Sequence, residues 1–212
     1  VWLNALDHLK VWMLSVLAEE GVDGSNVASK MRKLSSDDVK EQVHFLEDFY
    51  IARTQDTAQS YDGILKPKEL VIKSRKYLFK DPSIPGAAPD AVTLAQRIDA
   101  EVQNMSILTP YWRSLKGLDP SGLLLPKPFH TSSDAAWVDS RLKLLLGATL
   151  KHQAAYPFLM VAAENLKDDF ETFAKLVHSL ERFFFRYRSI CGVNEKKICL
   201  LYTSPSPRDQ RG

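Results

Sequence analysis

The sequence is poor in the residues that mark several specialised classes of protein. It holds only 2 Cys, 9 Gly and 11 Pro in 212 residues, which excludes a disulfide scaffold and a collagen-like repeat. Its 28 Lys+Arg nearly balance 26 Asp+Glu, so the overall charge gives no reason to expect binding to nucleic acid or acidic lipid, although a local basic patch stays open. No run of about 18 uncharged apolar residues occurs, so no membrane-spanning helix is expected.

The remaining composition is that of an ordinary globular protein. Hydrophobic residues make up 45% and charged residues 25% of the chain, which is too apolar for general disorder. No internal repeat and no convincing strand alternation is present. Cys191 has no cysteine partner two to four residues away, as a zinc pair would require. If Cys199 belongs to a non-natural tail, Cys191 is the only natural cysteine, which suits a reducing compartment. We therefore expect a cytoplasmic protein.

Both ends of the chain are unusual. The sequence starts at Val1 with a helical pattern and no leader-like segment, so we expect no signal peptide and interpret the start as a cut through a larger protein. Cys199–Asp209 resembles the translation of a sequencing adapter, and we interpret residues 199–212 as an adapter-derived, disordered tail. A natural Pro-rich tail is the alternative. Residues 1–198 are then one helical domain, itself a fragment of a larger protein.

Helical periodicity dominates the chain. Apolar residues recur every three or four positions in two long stripes. The first stripe consists of Trp2, Leu6, Leu9, Met13 and Val16, and the second, within Lys167–Cys191, consists of Phe170, Phe173, Val177, Leu180, Phe184, Tyr187 and Cys191. The pattern predicts an all-α array or bundle of about six to seven helices without significant sheet, in which the last helix is central to the core.

Local signals divide the region between the two stripes. Ser35 with Asp38, Asp90, and Ser133 with Asp134 are candidate helix starts, and Pro157 is a candidate first helical residue. Further predictions are a basic helix over Lys66–Lys80, a loop over Asp81–Pro89, a bend or restart at Pro110, an inward tuck of Leu123–Leu125 in a second loop, and a helix face made of Trp137, Leu142, Leu145 and Leu146.

Chemical motifs are sparse. Glu41-x-x-His44 is half of a carboxylate-bridged di-metal site, but no second copy follows, so we expect no metal site. His178 borders the last stripe and is interpreted as an interior or boundary histidine. The sequence contains neither a phosphate-binding Gly-rich loop nor a Gly-x-Ser-x-Gly elbow. We assign no catalytic residue.

Basic residues concentrate near the end of the last predicted helix. The cluster consists of Arg182, Arg186, Arg188, Lys196 and Lys197. The helix dipole favours cations at this end, and contact with nucleic-acid phosphates is the alternative explanation. A second basic strip consists of Lys66, Lys68, Lys73, Arg75, Lys76 and Lys80, and we interpret it as a solvated face.

Several segments resemble the GmrSD-like family of type IV, modification-dependent restriction proteins. Leu3 with Asp7–Leu14 resembles its Leu-x-x-Asp-Leu-Ile-Lys-x-x-Leu stretch, and Leu180–Asn194 is similar to its closing Phe-x-x-Arg-x-x-Ile-x-Gly-x-x-Asn helix. Phe45–Arg53 and Tyr111–Trp112 resemble, respectively, a family helix and the family's Tyr-rich turn.

This resemblance implies a division of labour within a longer protein. The family has an N-terminal ParB-like nucleotide domain with an Asp-Gly-Gln-Gln-Arg motif and a C-terminal HNH nuclease domain, and this chain has neither motif. The implied function is a helical connector between these two partner domains in a DNA restriction nuclease for phage defence. An NTP and a divalent metal would belong to the parent protein, and DNA is a possible partner.

The carried-over positions are few. Asp7 and Lys10 are candidates for an interdomain contact, and Arg186, Ile190, Gly192 and Asn194 match the closing motif. The alternative function is a stand-alone helical adaptor or scaffold domain. Whether the segment is itself an enzyme stays open.

Overall fold

A computed structural model describes residues 5–34, 38–54, 67–87, 92–147, 150 and 152–186. Within these ranges the chain forms eight α-helices and no strand, so the all-α prediction is confirmed and the predicted helix number is close. The helices are α1 Ala5–Glu19, α2 Ser25–Leu34, α3 Val39–Thr54, α4 Pro67–Lys73, α5 Leu94–Leu115, α6 Ala135–Leu146, α7 Tyr156–Asn165 and α8 Phe170–Phe185. None of these helices is long and apolar enough to cross a membrane.

Some predicted features lie outside the described residues. They are Trp2, Ser35, Lys66, Asp90, Tyr187, Arg188, Ile190, Cys191, Gly192, Asn194, Lys196, Lys197 and the tail 199–212.

The chain divides into two compact units. The first comprises Val1–Asp56 and Gly63–Thr109, and the second comprises Thr57–Asp62 and Pro110–Gly212. The sequence predicts no domain boundary near Pro110. The division falls inside α5, which contains Pro110 and is a single helix, so the predicted restart there is wrong.

In the first unit, α1 is in contact with α2, α3 and α4. Its buried side includes Leu6, Leu9 and Met13, as predicted, and continues to Leu17. Val16 is only half-buried, so the last position of the predicted stripe is wrong by one residue.

The start of α5 is set by a capping box. Thr93 Oγ1 accepts a hydrogen bond from the Gln96 amide at 3.3 Å, and the Gln96 side-chain oxygen accepts one from the Thr93 amide at 3.2 Å. This reciprocal pair satisfies two amides at the helix start. The helix therefore begins at Leu94, later than the start at Asp90 that the sequence suggested.

A π-helical turn, Ser74–Leu78, follows directly after α4. There the Arg75 guanidinium lies 4.8 Å from the centre of the Trp12 ring and donates to the Asp81 carboxylate at 2.6 and 2.9 Å. Asp81 Oδ1 also accepts the Ser83 amide at 2.9 Å. The buried Asp81 thus holds the first turn of the predicted loop 81–89 against the helix.

In the second unit, a buried carboxylate organises the loop between α5 and α6. Asp139 Oδ1 accepts the amides of Leu124 and Leu125 at 2.7 and 3.1 Å, and Asp139 Oδ2 pairs with Lys143 at 2.6 Å. Leu125 is buried whereas Leu123 and Leu124 are half-buried. The predicted inward tuck is therefore confirmed for Leu125.

The buried face of α6 differs from the predicted one. Leu142, Leu145 and Leu146 are buried as predicted, but Trp137 is 41% exposed and Val138 takes the interior position. Val138, Leu142 and Leu145 share one face at spacings of four and three, and Trp137 lies about 100° away from Val138 around the axis.

We expect that Asp139→Ala lowers the free energy of unfolding of the second unit by about 2–4 kcal/mol, because it leaves two loop amides without their acceptor. Urea unfolding followed by circular dichroism measures the change. Asp134→Ala is the control, since Asp134 precedes the same helix but its side chain makes no capping hydrogen bond. Equal stability of the two variants would contradict the role given to Asp139.

The buried Asp81 should make the free energy of unfolding depend on pH. Burial raises the pKa of Asp81, but hydrogen bonds from Ser83 and the ion pair with Arg75 outweigh burial and bring this pKa below its usual 3.8. A lowered folded-state pKa gives stability that is present above the unfolded-state value and is lost as pH falls through the folded value.

Asp81→Asn should therefore cost about 1–3 kcal/mol of unfolding free energy at neutral pH, and the difference from wild type should shrink in acid. Urea unfolding at neutral pH and near pH 3 tests this, with Asp99→Asn as the control because Asp99 is exposed and its Lys30 pair is long at 3.7 Å. A difference that does not change with pH would refute the assignment.

Candidate nucleic-acid interface

The orientation of α8 is fixed by its cap and its buried aromatic side. Asp169 accepts the Thr172 amide at 3.0 Å, so the helix begins at Phe170 and later than the predicted Lys167. Phe173 stacks on Phe129 with ring centres 4.6 Å apart, and Phe184 stacks on His152 at 3.9 Å.

The predicted apolar stripe of α8, which forms a seam with the rest of the second unit, is confirmed in the part that the structure describes. Phe173, Val177 and Phe184 are buried, and Phe170 and Leu180 are half-buried. Glu181 is also buried, which the apolar stripe did not indicate.

Glu181 joins α8 to α6. Arg141 donates to Glu181 Oε2 at 3.0 Å, and His178 Nδ1 lies 3.7 Å from the same oxygen. The Trp137 ring is 5.5 Å from the His178 ring and 5.1 Å from the Arg141 guanidinium. Residues 137 and 141 thus face 178 and 181 in the same order, so α6 and α8 run in the same direction. His178 lies at the boundary of the core, as predicted.

The side of the last α8 turns that points away from the buried Phe173, Val177 and Phe184 faces water. Arg182, Phe185 and Arg186 are all exposed, and we call these three residues the α8 edge. Arg182 and Arg186 are four residues apart, which places them about 6 Å apart along the axis on neighbouring positions of the helix surface. The exposed Phe185 is three residues from Arg182 and is therefore its neighbour on this helix surface.

The arginines of the α8 edge differ from the other described cations on α6–α8 and their connections. Arg141 and Lys143 pair with Glu181 and Asp139, and Lys167 and Lys175 pair with Glu164 and Glu171. Arg182 and Arg186 form no ion pair with any residue that the structure describes. Within the described part of the chain, no carboxylate neutralises their positive charge.

The remaining members of the predicted basic cluster, Arg188, Lys196 and Lys197, lie outside the described residues. The interdomain candidates Asp7 and Lys10 are both half-buried on α1, in the first unit. The structure therefore brings together only Arg182 and Arg186 from the predicted cluster.

The second basic strip is not a uniform solvated face. Lys68 is exposed, but Lys73, Lys76 and Lys80 are half-buried, and Arg75 is bound to Asp81. Lys76 also lies 5.2 Å from the Tyr77 ring centre. The solvated-face interpretation is thus wrong for most of the described strip, because several of its side chains pack against the first unit.

Tyr111 and Trp112, which carry part of the family resemblance, have packing roles. Burial, with the hydrogen bond and charge of Glu164 and the charge of Asp168, raises the pKa of Tyr111 to about 12. Trp112 is buried, and the Lys116 ammonium lies 5.4 Å from its ring and 3.6 Å from the Tyr156 ring. These contacts connect α5 with α7.

Within the described ranges, no three His, Cys, Asp or Glu side chains converge as a metal site requires. Of the Glu41-x-x-His44 pair, Glu41 is half-buried and His44 is exposed on α3. His130 uses its Nε2 in a 2.7 Å hydrogen bond with the Leu125 carbonyl, so this imidazole stabilises the loop.

Comparisons with protein-family models, with curated proteins and with solved structures find no match to this chain.

The sequence indicates the arginines of the α8 edge but not the exposure of Phe185 or the pair formed by Glu181 and Arg141. A signal for Phe185 was present, because three consecutive phenylalanines at 183–185 span about 200° of a helix and cannot all face one core. No comparable signal marked Glu181, since its partner Arg141 is 40 residues away in the sequence.

We expect that Glu181→Gln lowers the free energy of unfolding by about 1–2 kcal/mol, because it removes the charge that Arg141 faces in a largely buried position. Glu171→Gln is the matched control on the same helix. Glu171 also pairs with a cation, but its side chain is 79% exposed against 12% for Glu181, so its loss should cost about 0.5 kcal/mol or less. Equal urea midpoints for the two variants would contradict the proposed role of Glu181.

Proposed function

We propose that this chain is a helical connector of a nucleotide-dependent DNA restriction nuclease, and that it contacts DNA phosphates through the α8 edge. The observation that carries the DNA part is the contrast between Arg182 and Arg186, which have no ion pair among the described residues, and the paired cations Arg141, Lys143, Lys167 and Lys175.

An exposed guanidinium without an intramolecular carboxylate can replace a counterion on the DNA backbone, and the release of that counterion favours binding. The C-terminal dipole of α8 also favours these cations, by about 0.3–1 kcal/mol each. This small contribution does not by itself explain why two arginines lie on one edge of the helix.

The connector part of the proposal comes from the family resemblance. It places an NTP-binding domain before this segment and an HNH nuclease domain after it, in a cytoplasmic phage-defence protein that uses an NTP and a divalent metal. The sequence upstream and downstream in the intact gene tests this directly. An Asp-Gly-Gln-Gln-Arg motif before the segment and an HNH pattern after it would support the connector, and their absence would refute it.

A stand-alone adaptor domain is the second candidate. It is favoured by exposed apolar side chains in the second unit, which are Trp137, Leu144, Phe158 and Phe185. Such residues are enriched where proteins bind other proteins.

We expect that the chain binds a 20-base-pair DNA duplex and that Arg182→Gln with Arg186→Gln weakens this binding. Because each phosphate contact contributes about 0.9 to the slope of log K against log salt, the double variant should lower this slope by up to about 2. Fluorescence anisotropy over roughly 50–200 mM salt measures both quantities.

Arg32→Gln with Lys33→Gln is the charge-matched control, since both residues are exposed at the end of α2. An equal loss in the control would show that only net charge matters. If neither the duplex nor a single strand of the same length binds at the lowest salt, the DNA contact is refuted and the adaptor is favoured.

A further inference from the structure

The exposed aromatic ring on the same edge as the two arginines indicates what kind of nucleic acid the α8 edge suits. Duplex DNA presents phosphates outside and stacks its bases inside, so a protein needs cations but no exposed ring to hold it. Single-stranded nucleic acid offers unstacked bases as well as phosphates, and its binding proteins combine cations with aromatic side chains on which bases stack.

Phe185 has the properties of such a stacking group. Its side chain is 50% exposed, although its neighbour Phe184 is buried against His152. Phe185 is three residues from Arg182, so these two side chains are neighbours on the helix surface, whereas Arg186, the next residue, points about 100° further round the axis.

The surroundings of Phe185 extend this surface onto α6. The contacts of Trp137 with His178 and of Arg141 with Glu181 define the register of the two parallel helices. One turn further along the same register, Leu144 on α6 comes opposite Phe185. Leu144 is also exposed, so an apolar strip continues beside the arginines.

The charges near this strip favour an anionic partner. Glu181 is the acidic residue of the last two turns of α8, and it is buried and bound to Arg141. A bound phosphate chain would therefore meet Arg182 and Arg186 without a competing exposed carboxylate on these turns. We propose that the α8 edge binds single-stranded nucleic acid, with Arg182 and Arg186 on the backbone phosphates and Phe185 under a base. This inference rests on the proposed DNA contact and specifies its strand form.

The test uses fluorescein-labelled oligo(dT) of 20 nucleotides and a 20-base-pair duplex at equal salt, with the full chain. We expect tighter binding of the single strand. Phe185→Ala should weaken binding of oligo(dT) by about 5- to 150-fold, the range for loss of one aromatic stacking contact, while duplex binding stays unchanged. Phe185→Trp should retain binding of the single strand.

Phe158→Ala is the matched control, because Phe158 is an equally exposed phenylalanine, at 51%, on α7. Its replacement should change neither affinity. Equal loss in both phenylalanine variants would overturn the stacking role of Phe185.

The other outcomes separate this inference from the proposed function. Equal affinity for both DNA forms, with no effect of Phe185→Ala, would overturn the single-strand inference and leave the phosphate contact intact. Failure of both DNA forms to bind would remove both. Poly-glutamate at equal charge concentration tests whether any acidic polymer can bind. If it displaces oligo(dT), the surface binds acidic polymers in general and the single-strand inference is overturned.

Discussion

The burial of one aromatic face of α8 determines most of what the second unit presents to its surroundings. Phe173 stacks on Phe129 and Phe184 stacks on His152, so this face cannot rotate away without losing both contacts. Burying each of these phenylalanines is worth roughly 1.5–3 kcal/mol. Because the helix has 3.6 residues per turn, fixing this face also fixes the direction of residues 182, 185 and 186 towards water.

Polar side chains add specificity to this packing at a few buried points. Glu181 ties α8 to α6 through Arg141, and Asp139 ties α6 to the preceding loop through two backbone amides. Both carboxylates use their charge within the fold, whereas Arg182 and Arg186 form no ion pair among the described residues. The packing of the apolar face of α8 therefore decides which charged side chains are buried and paired and which are exposed.

The sequence predicted those parts of the fold that depend on helical periodicity. The seam through Phe173, Val177 and Phe184 and the buried positions Leu6, Leu9 and Met13 follow from spacing alone. Boundaries were less predictable, because Thr93 and Asp169 cap helices with short side-chain contacts that several nearby residues could equally make. Trp137 was misplaced because hydrophobicity alone does not show that Val138 aligns better with Leu142 and Leu145.

The candidate interface was predictable only in its charges. Arg182 and Arg186 stand out in the sequence, but whether a cation is paired depends on residues far away along the chain, as Arg141 and Glu181 show. The division near Pro110 was also invisible, because α5 continues through it.

The hydrogen bonds of Asp139 have a consequence for local motion in the second unit. The amide protons of Leu124 and Leu125 lie in a segment without regular helix, yet their acceptor belongs to a side chain of α6. Their exchange with solvent deuterium requires this carboxylate to withdraw, so their protection factors should follow the opening of α6. The amides of this loop should therefore be protected from exchange for as long as α6 stays folded.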